Sequence, residues 1–147
     1  MSEDLLVDPD NLREQVRDKY REVAVDPHRT FHFHVGRVNA ARLGYEPAVV
    51  DALPDRAVES FAGVGNPFSL RRLQPGEQAV DVGSGAGFDS FVAADQVGTT
   101  RRVVGLDTTP EMLKKSHQTA EALGFAHVEF REGLAESLPV EDGWATR

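Results

Sequence analysis

The sequence contains no cysteine at all. That excludes a disulfide scaffold, a thiolate-held metal and a cysteine nucleophile in this chain. Positive charge is scarce as well: 16 Lys and Arg stand against 24 Asp and Glu, a formal net charge of −8. There is no basic stripe of the kind that tracks a nucleic-acid backbone or an anionic membrane surface. No apolar run approaches the roughly 18 residues that suggest a membrane span. The opening Met1-Ser2-Glu3-Asp4 is acidic where a secretory signal is basic, so a soluble cytoplasmic protein is expected. What remains is ordinary globular composition, 40% hydrophobic and 27% charged over 147 residues, which excludes wholesale disorder. That length fits one domain or part of one.

Two regions with different rhythm follow one another. Residues 1–10 are acidic and expected to fray. From Asn11 the pattern is helical: Leu12, Val16, Tyr20 and Val23 form an apolar stripe, and Arg13, Glu14, Arg17, Asp18 and Arg21 lie off it. Asp10 or Asn11 is the expected cap and Asp26-Pro27 the stop. Further short helices are expected over Val38–Leu43, Pro47–Leu53 and Asp55–Phe61, before a Gly63-Val64-Gly65-Asn66-Pro67 loop. From Leu70 the pattern alternates between strand and helix. Strands are expected over Gln78–Val82, Arg102–Leu106 (ending at Asp107) and His127–Arg131. Helices are expected over Phe88–Val97, closed by Gly98, and from Thr109-Pro110 to Leu123, closed by Gly124. A β-α-β-α-β order calls for a parallel sheet with right-handed crossovers.

Chemistry concentrates in Asp81-Val82-Gly83-Ser84-Gly85-Ala86-Gly87-Phe88, which follows a strand and opens a helix. Glycines at 83, 85 and 87 let the chain turn sharply and a ligand lie close to the backbone. The helix start behind them presents free N–H groups. A dinucleotide loop reads G-x-G-x-x-G, but Phe88 stands at its third glycine position, which disfavours an NAD-dependent oxidoreductase. Gly-x-Gly-x-Gly preceded by a strand-borne acid suits S-adenosylmethionine, whose amino group and sulfonium are cationic and attract a carboxylate such as Asp81. Asp107 ends the second strand, where a carboxylate can accept both ribose hydroxyls. The segment from Arg131 to Glu136 follows the third strand and can meet an adenine edge.

Val80–Asp89, Val104–Leu113 and Val128–Gly133 together resemble a class I S-adenosylmethionine-dependent methyltransferase. Val16-Arg17-Asp18-Lys19-Tyr20 and Gly65-Asn66-Pro67 are similar to its arsenite-methyltransferase-like branch. The resemblance covers roughly 16–143. It implies an α/β fold, the N-terminal half of a Rossmann-like methyltransferase, with residues 1–69 a helical lid segment and 70–147 a partial cofactor-binding domain. It also implies S-adenosyl-L-methionine as cofactor and a small-molecule methyl acceptor as partner, with no nucleic acid or membrane. By the same resemblance Asp81, Gly83, Ser84 and Gly85 would hold the methionine part, Gly87 would also be cofactor-binding, and Asp107 would take the ribose. Thr108 and Met112 would pack near the adenosine, Ala135 and Glu136 would sit by the adenine, and Tyr20 would close over the cofactor.

Two departures stand out. Arsenite methyltransferases carry a cysteine before Gly-Asn-Pro, where this chain has Val64, so thiolate capture of arsenic(III) is unavailable to this chain. The run Leu138–Gly143 would lead into a fourth strand, so the reading implies truncation after the third, with a non-catalytic cofactor-binding remnant as the alternative to an enzyme. His28, His32 and His34 raise a metal reading, since histidines two apart on extended chain share a face. No acid or third ligand accompanies them, so no metal is expected, and lining of the substrate side is the other reading. Phe31, Phe33 and Phe68 are expected to pack.

Overall fold

A computed structural model describes residues 8–146, with α1 over Pro9–Val25, α2 over Gly36–Arg42, α3 over Pro47–Asp51 and α4 over Asp55–Val58. A 3-10 turn at Pro67–Ser69 follows, then β1 (Ala79–Val82), α5 (Phe88–Val97), β2 (Val103–Asp107), α6 (Pro110–Leu123) and β3 (Val128–Glu132). The three strands pair in parallel in the order β1-β2-β3. In the middle strand Val103, Val104, Gly105 and Leu106 are all buried. That near-continuous apolar run is what a parallel strand flanked on both sides requires.

The second half matches its sequence expectations closely because its punctuation is strong. Helix α5 starts after Gly87 and stops at Gly98, and α6 starts at Pro110 and stops at Gly124, which adopts the left-handed conformation. Thr109 occupies the N-cap position of α6, but its hydroxyl makes no capping bond; the residue is buried, and its N–H is bound by Asp107 instead.

The first half departs more. Helix α1 begins two residues earlier than expected, because Asp8 is the cap, accepting from the Asp10 N–H at 3.0 Å, and Pro9 fits the first turn. Residues 8–10 are therefore ordered; the rest of the expected frayed stretch, residues 1–7, lies outside the described residues. Helices α3 and α4 are shorter than expected. Arg37 reaches from α2 to the Val50 and Leu53 carbonyls at 3.1 Å each, satisfying acceptors where α3 ends. The expected apolar stripe of α1 divides in two. Val23 is fully buried with Ala24, Ala86 and Met112 in a small cluster, whereas Leu12, Val16 and Tyr20 stay nearly half exposed.

Helical segment and sheet share one core. Tyr45, Val58 and Phe61 from the first half pack with Phe88, Phe91, Val103 and Phe130 from the second. A polar tie reinforces it: Lys115 on α6 lies 2.6 Å from a Glu59 carboxylate oxygen and donates to Ser60 Oγ at 2.7 Å. Ser60 in turn donates to the Val23 carbonyl at 3.2 Å. Residues 144–146 lie against the entry to β1, where the Thr146 N–H donates to the Gln78 carbonyl at 2.9 Å. Among the described residues no helix is long and apolar enough to cross a membrane.

Phe91 is 1% exposed at the junction of α5 with the sheet. Phe91→Ala is expected to cost about 3–5 kcal/mol. Urea denaturation of both chains measures it, and a loss below about 1 kcal/mol would show that α5 does not depend on this packing against the sheet.

Candidate functional site

The glycine loop is built as its sequence requires. Gly83 and Gly85 take φ of 76° and 55°, and a Cβ added at either would project into open space. Gly87 has φ 97°, and a Cβ there would come within 2.8 Å of the Phe130 and Phe91 rings. Its lack of a side chain is thus a packing requirement, and it does not line the cavity beside the loop. The Gly83 and Ser84 N–H groups both donate to the Leu106 carbonyl, at 2.7 and 2.8 Å, which pins the loop to the end of β2.

Asp107 is the hinge of the site. One carboxylate oxygen accepts from the Gly85 N–H and the other from the Thr109 N–H, both at 2.8 Å. Its backbone carbonyl accepts from the Gly133 N–H at 3.1 Å, which brings in the loop after β3. A carboxylate offers about four lone-pair positions, so each oxygen keeps one for a further donor.

A cavity of about 510 Å³ opens where these three loops meet α1. That volume lies in the ordinary range for small-molecule sites, roughly 300–1,000 Å³. Its wall includes Gly83, Ser84, Gly85, Asp107, Thr108, Met112 and Ala135, and Tyr20 from α1. Two expected residues besides Gly87 stand outside it. Asp81 accepts from Ser90 Oγ on α5 at 2.8 Å, and Glu136 is drawn into an ion pair with Arg13 at 3.1 Å. Room for the Ser90 hydroxyl depends on Gly105, the strand partner of Asp81, where a Cβ would lie 2.9 Å from Ser90 Oγ.

Sequence reasoning missed Asp89, which lines the cavity from the first turn of α5. An acid directly after the loop, at the positive end of a helix, is a signal that could have found it. Its partner had no local signal: the buried Tyr45 donates to Asp89 Oδ1 at 2.5 Å, from between α2 and α3. Burial pushes the Asp89 carboxyl up to about 6, against the pull of the Tyr45 bond. Asp81 is pushed to about 7, first by burial, then by the charge of Asp89, with Asp107 adding to it and the Ser90 bond opposing. Burial and the adjoining Asp89 carboxylate raise the Tyr45 hydroxyl too.

His32 and His34 are exposed, His28 pairs with Glu59 at 3.6 Å, and none of the three lines the cavity. Among the described residues no three His, Asp or Glu side chains converge to hold a metal. Phe31 stacks on Phe33 with centroids 5.3 Å apart, and Phe68 packs against the main core.

Asp81 and Asp89 hold protons in the folded chain at pH values where the unfolded chain has released them, near 3.8. Their contribution to stability is therefore complete below that value and is lost as pH rises through about 6 to 7. The melting temperature of the free chain is expected to fall between about pH 5 and about pH 8, and Asp81→Asn to flatten that fall. An unchanged slope in the variant would contradict this origin.

Residues 73–145 match the family described as "Methyltransferase domain". The chain is 36% identical over 150 aligned positions to an arsenite methyltransferase of Halobacterium salinarum, covering 92% of this chain and 38% of that protein. It is 43% identical over 70 residues to a demethylmenaquinone methyltransferase of Bacillus cereus, covering 48% of this chain and 30% of that protein. The chain thus spans well under half the length of these curated relatives. Among solved structures it resembles a geranyl diphosphate C-methyltransferase from Streptomyces coelicolor, with a TM-score of 0.55 at 23% identity over 91% of this chain and 52% of that one. At that identity the likeness is one of fold, and the fold is the same α/β arrangement. Matched domain and arsenite methyltransferase likeness agree on the same stretch: residues 73–145 match a methyltransferase domain, and most of the chain is similar to an arsenite methyltransferase.

Proposed function

We propose that this chain binds S-adenosyl-L-methionine across the cavity at the strand ends and transfers its methyl group to a small-molecule acceptor. The observation that carries this reading is the convergence on one cavity of the glycine loop, Asp107, the loop after β3 and Tyr20. The chemistry of the wall suits the group. Gly83 and Gly85 leave open space where side chains would otherwise stand, and Ser84 Oγ is buried with no hydrogen-bond partner among the described residues. Asp89 faces the cavity, and Asp81 lies close behind it; raised carboxyls of this kind gain most from a cationic ligand. The solved relative from Streptomyces coelicolor holds S-adenosyl-L-homocysteine.

In this reading the remaining lone pairs of Asp107 accept the ribose hydroxyls. Thr108 and Met112 flank the adenosine, Ala135 lies at the adenine side and Tyr20 covers the opening. Gly83, Ser84 and Gly85 take the methionine part, with the carboxyls of Asp89 and Asp81 on its ammonium side. When bound, the cofactor supplies an electrophilic methyl on its sulfonium. The chain's own task is to align an acceptor with that methyl and to exclude water. Ala57, Phe61 and Ala62 contribute an apolar wall from the helical segment, on the side left for the acceptor. Val64, at the position of the family's arsenic-binding cysteine, is 96% exposed and offers arsenite no thiolate.

Isothermal titration with S-adenosyl-L-homocysteine tests the reading, with NADH as the competing ligand. Binding of the former alone is expected, with affinity rising between about pH 5 and about pH 8 as Asp81 and Asp89 lose their protons to solvent and become carboxylates that attract the ligand's ammonium. Asp107→Ala is expected to weaken binding about tenfold or more, through lost ribose bonds and a loosened loop. Gly85→Val should abolish it, because valine resists φ near 55° and its side chain enters the cavity. Full affinity in a folded Gly85→Val chain would place the ligand elsewhere.

A further inference from the structure

Three arginines follow one another at single-turn intervals along α1, and they differ in one respect. Arg13 pairs with Asp10 and Glu136 at 3.4 and 3.1 Å. Arg21 pairs with Asp18 and Glu111 at 3.0 and 2.8 Å. Arg17, between them, lines the cavity and has no carboxylate partner among the described residues. Its Nε is buried without a hydrogen-bond acceptor among the described residues. Ser84 Oγ, in the glycine loop of the same cavity, is likewise buried and unpartnered. Buried donors of this kind are costly unless something supplies their acceptors, and two of them in one cavity define a place for an anion. The guanidinium fork matches the two oxygens of a carboxylate. One acidic residue of α5 stands in the same wall, Asp89, held by Tyr45. The cavity is therefore sorted by charge, with a cation on the helix that covers it and an anion on the helix behind the loop. That pattern is complementary to the zwitterionic end of an amino acid.

We infer that Arg17 and Ser84 bind the α-carboxylate of the cofactor's amino-acid tail, while Asp89 takes its α-ammonium. The inference rests on the cofactor reading above and assigns a role to a helix residue to which the sequence resemblance gave none.

Two ligands separate this role from a structural one. S-adenosyl-L-homocysteine carries the amino-acid tail; 5′-methylthioadenosine keeps adenine, ribose and sulfur but lacks the tail. Titrations of the full chain with both are compared for wild type, Arg17→Gln, Arg17→Lys and Ser84→Ala. Arg17→Gln is expected to weaken S-adenosyl-L-homocysteine roughly tenfold or more and to leave 5′-methylthioadenosine within about twofold of wild type. Arg17→Lys should recover part of the loss, because charge remains without the fork, and Ser84→Ala should show a smaller loss in the same direction. Equal losses for both ligands would mean that Arg17 acts only by docking the helix, and unchanged S-adenosyl-L-homocysteine affinity would mean that it does not touch the tail; either result overturns the assignment. A wild-type chain that binds neither ligand overturns the cofactor reading and this assignment with it.

Discussion

The site depends on one carboxylate with two backbone partners. By accepting from Gly85 and Thr109, Asp107 joins the loop after β1 to the start of α6, and its own carbonyl gathers in Gly133 after β3. Three loops that are distant in sequence thus meet at the end of the middle strand. Hydrogen bonds to a charged acceptor are stronger than neutral ones, and here they fix the geometry before any ligand arrives. A single residue supplies both the scaffold and, in the proposed function, the ribose contact. Preorganisation of this sort spares a ligand the cost of ordering the loops itself.

Electrostatics set the other half of the design. Asp81 and Asp89 are kept where burial disfavours their charge, which weakens the free fold at neutral pH. Such an arrangement is tolerable only because Tyr45 and Ser90 hold the two carboxyls by hydrogen bonds and the shared aromatic core is extensive. The Tyr45 ring packs edge-on against Phe61 and Phe88, so the same residue that fixes Asp89 also cements the helical segment to the sheet. Stability and ligand chemistry are coupled through it.

How much of this was legible in the amino-acid sequence follows from the range of the interactions involved. Helices α5 and α6 are bounded by local signals, Gly87 and Gly98 for one and Pro110 and Gly124 for the other, and these act whatever the rest of the chain does. The loop, Asp107 and the loop after β3 were legible for the same reason, since each follows directly from a strand end. Tyr45 and Asp89 meet across 44 positions, and no periodicity records such a meeting. The stripe on α1 was legible as apolar, but what it would face was not: Val23 found a core, and Tyr20 found a cavity. Arg17 fell on the polar side of that stripe, yet helix rotation brings it to the cavity beside Val16. Gly87 was read for its backbone freedom, whereas the two phenyl rings against it make its lack of a side chain equally necessary.

Helix α1 is held unequally at its two ends. Its C-terminal end is rooted by Val23 and Ala24 on Met112 and by the Ser60 bond to the Val23 carbonyl. Its N-terminal end lies along the cavity with Leu12 and Val16 half exposed, and among the described residues the solvent-facing Arg13–Glu136 pair is the ion pair that ties it across to the loop after β3. Exposed pairs of this kind contribute about 0–1 kcal/mol and weaken in salt, whereas unseating the rooted end would strip buried aliphatic surface worth several times as much. The weaker of the two attachments is thus the one that stands beside the cavity.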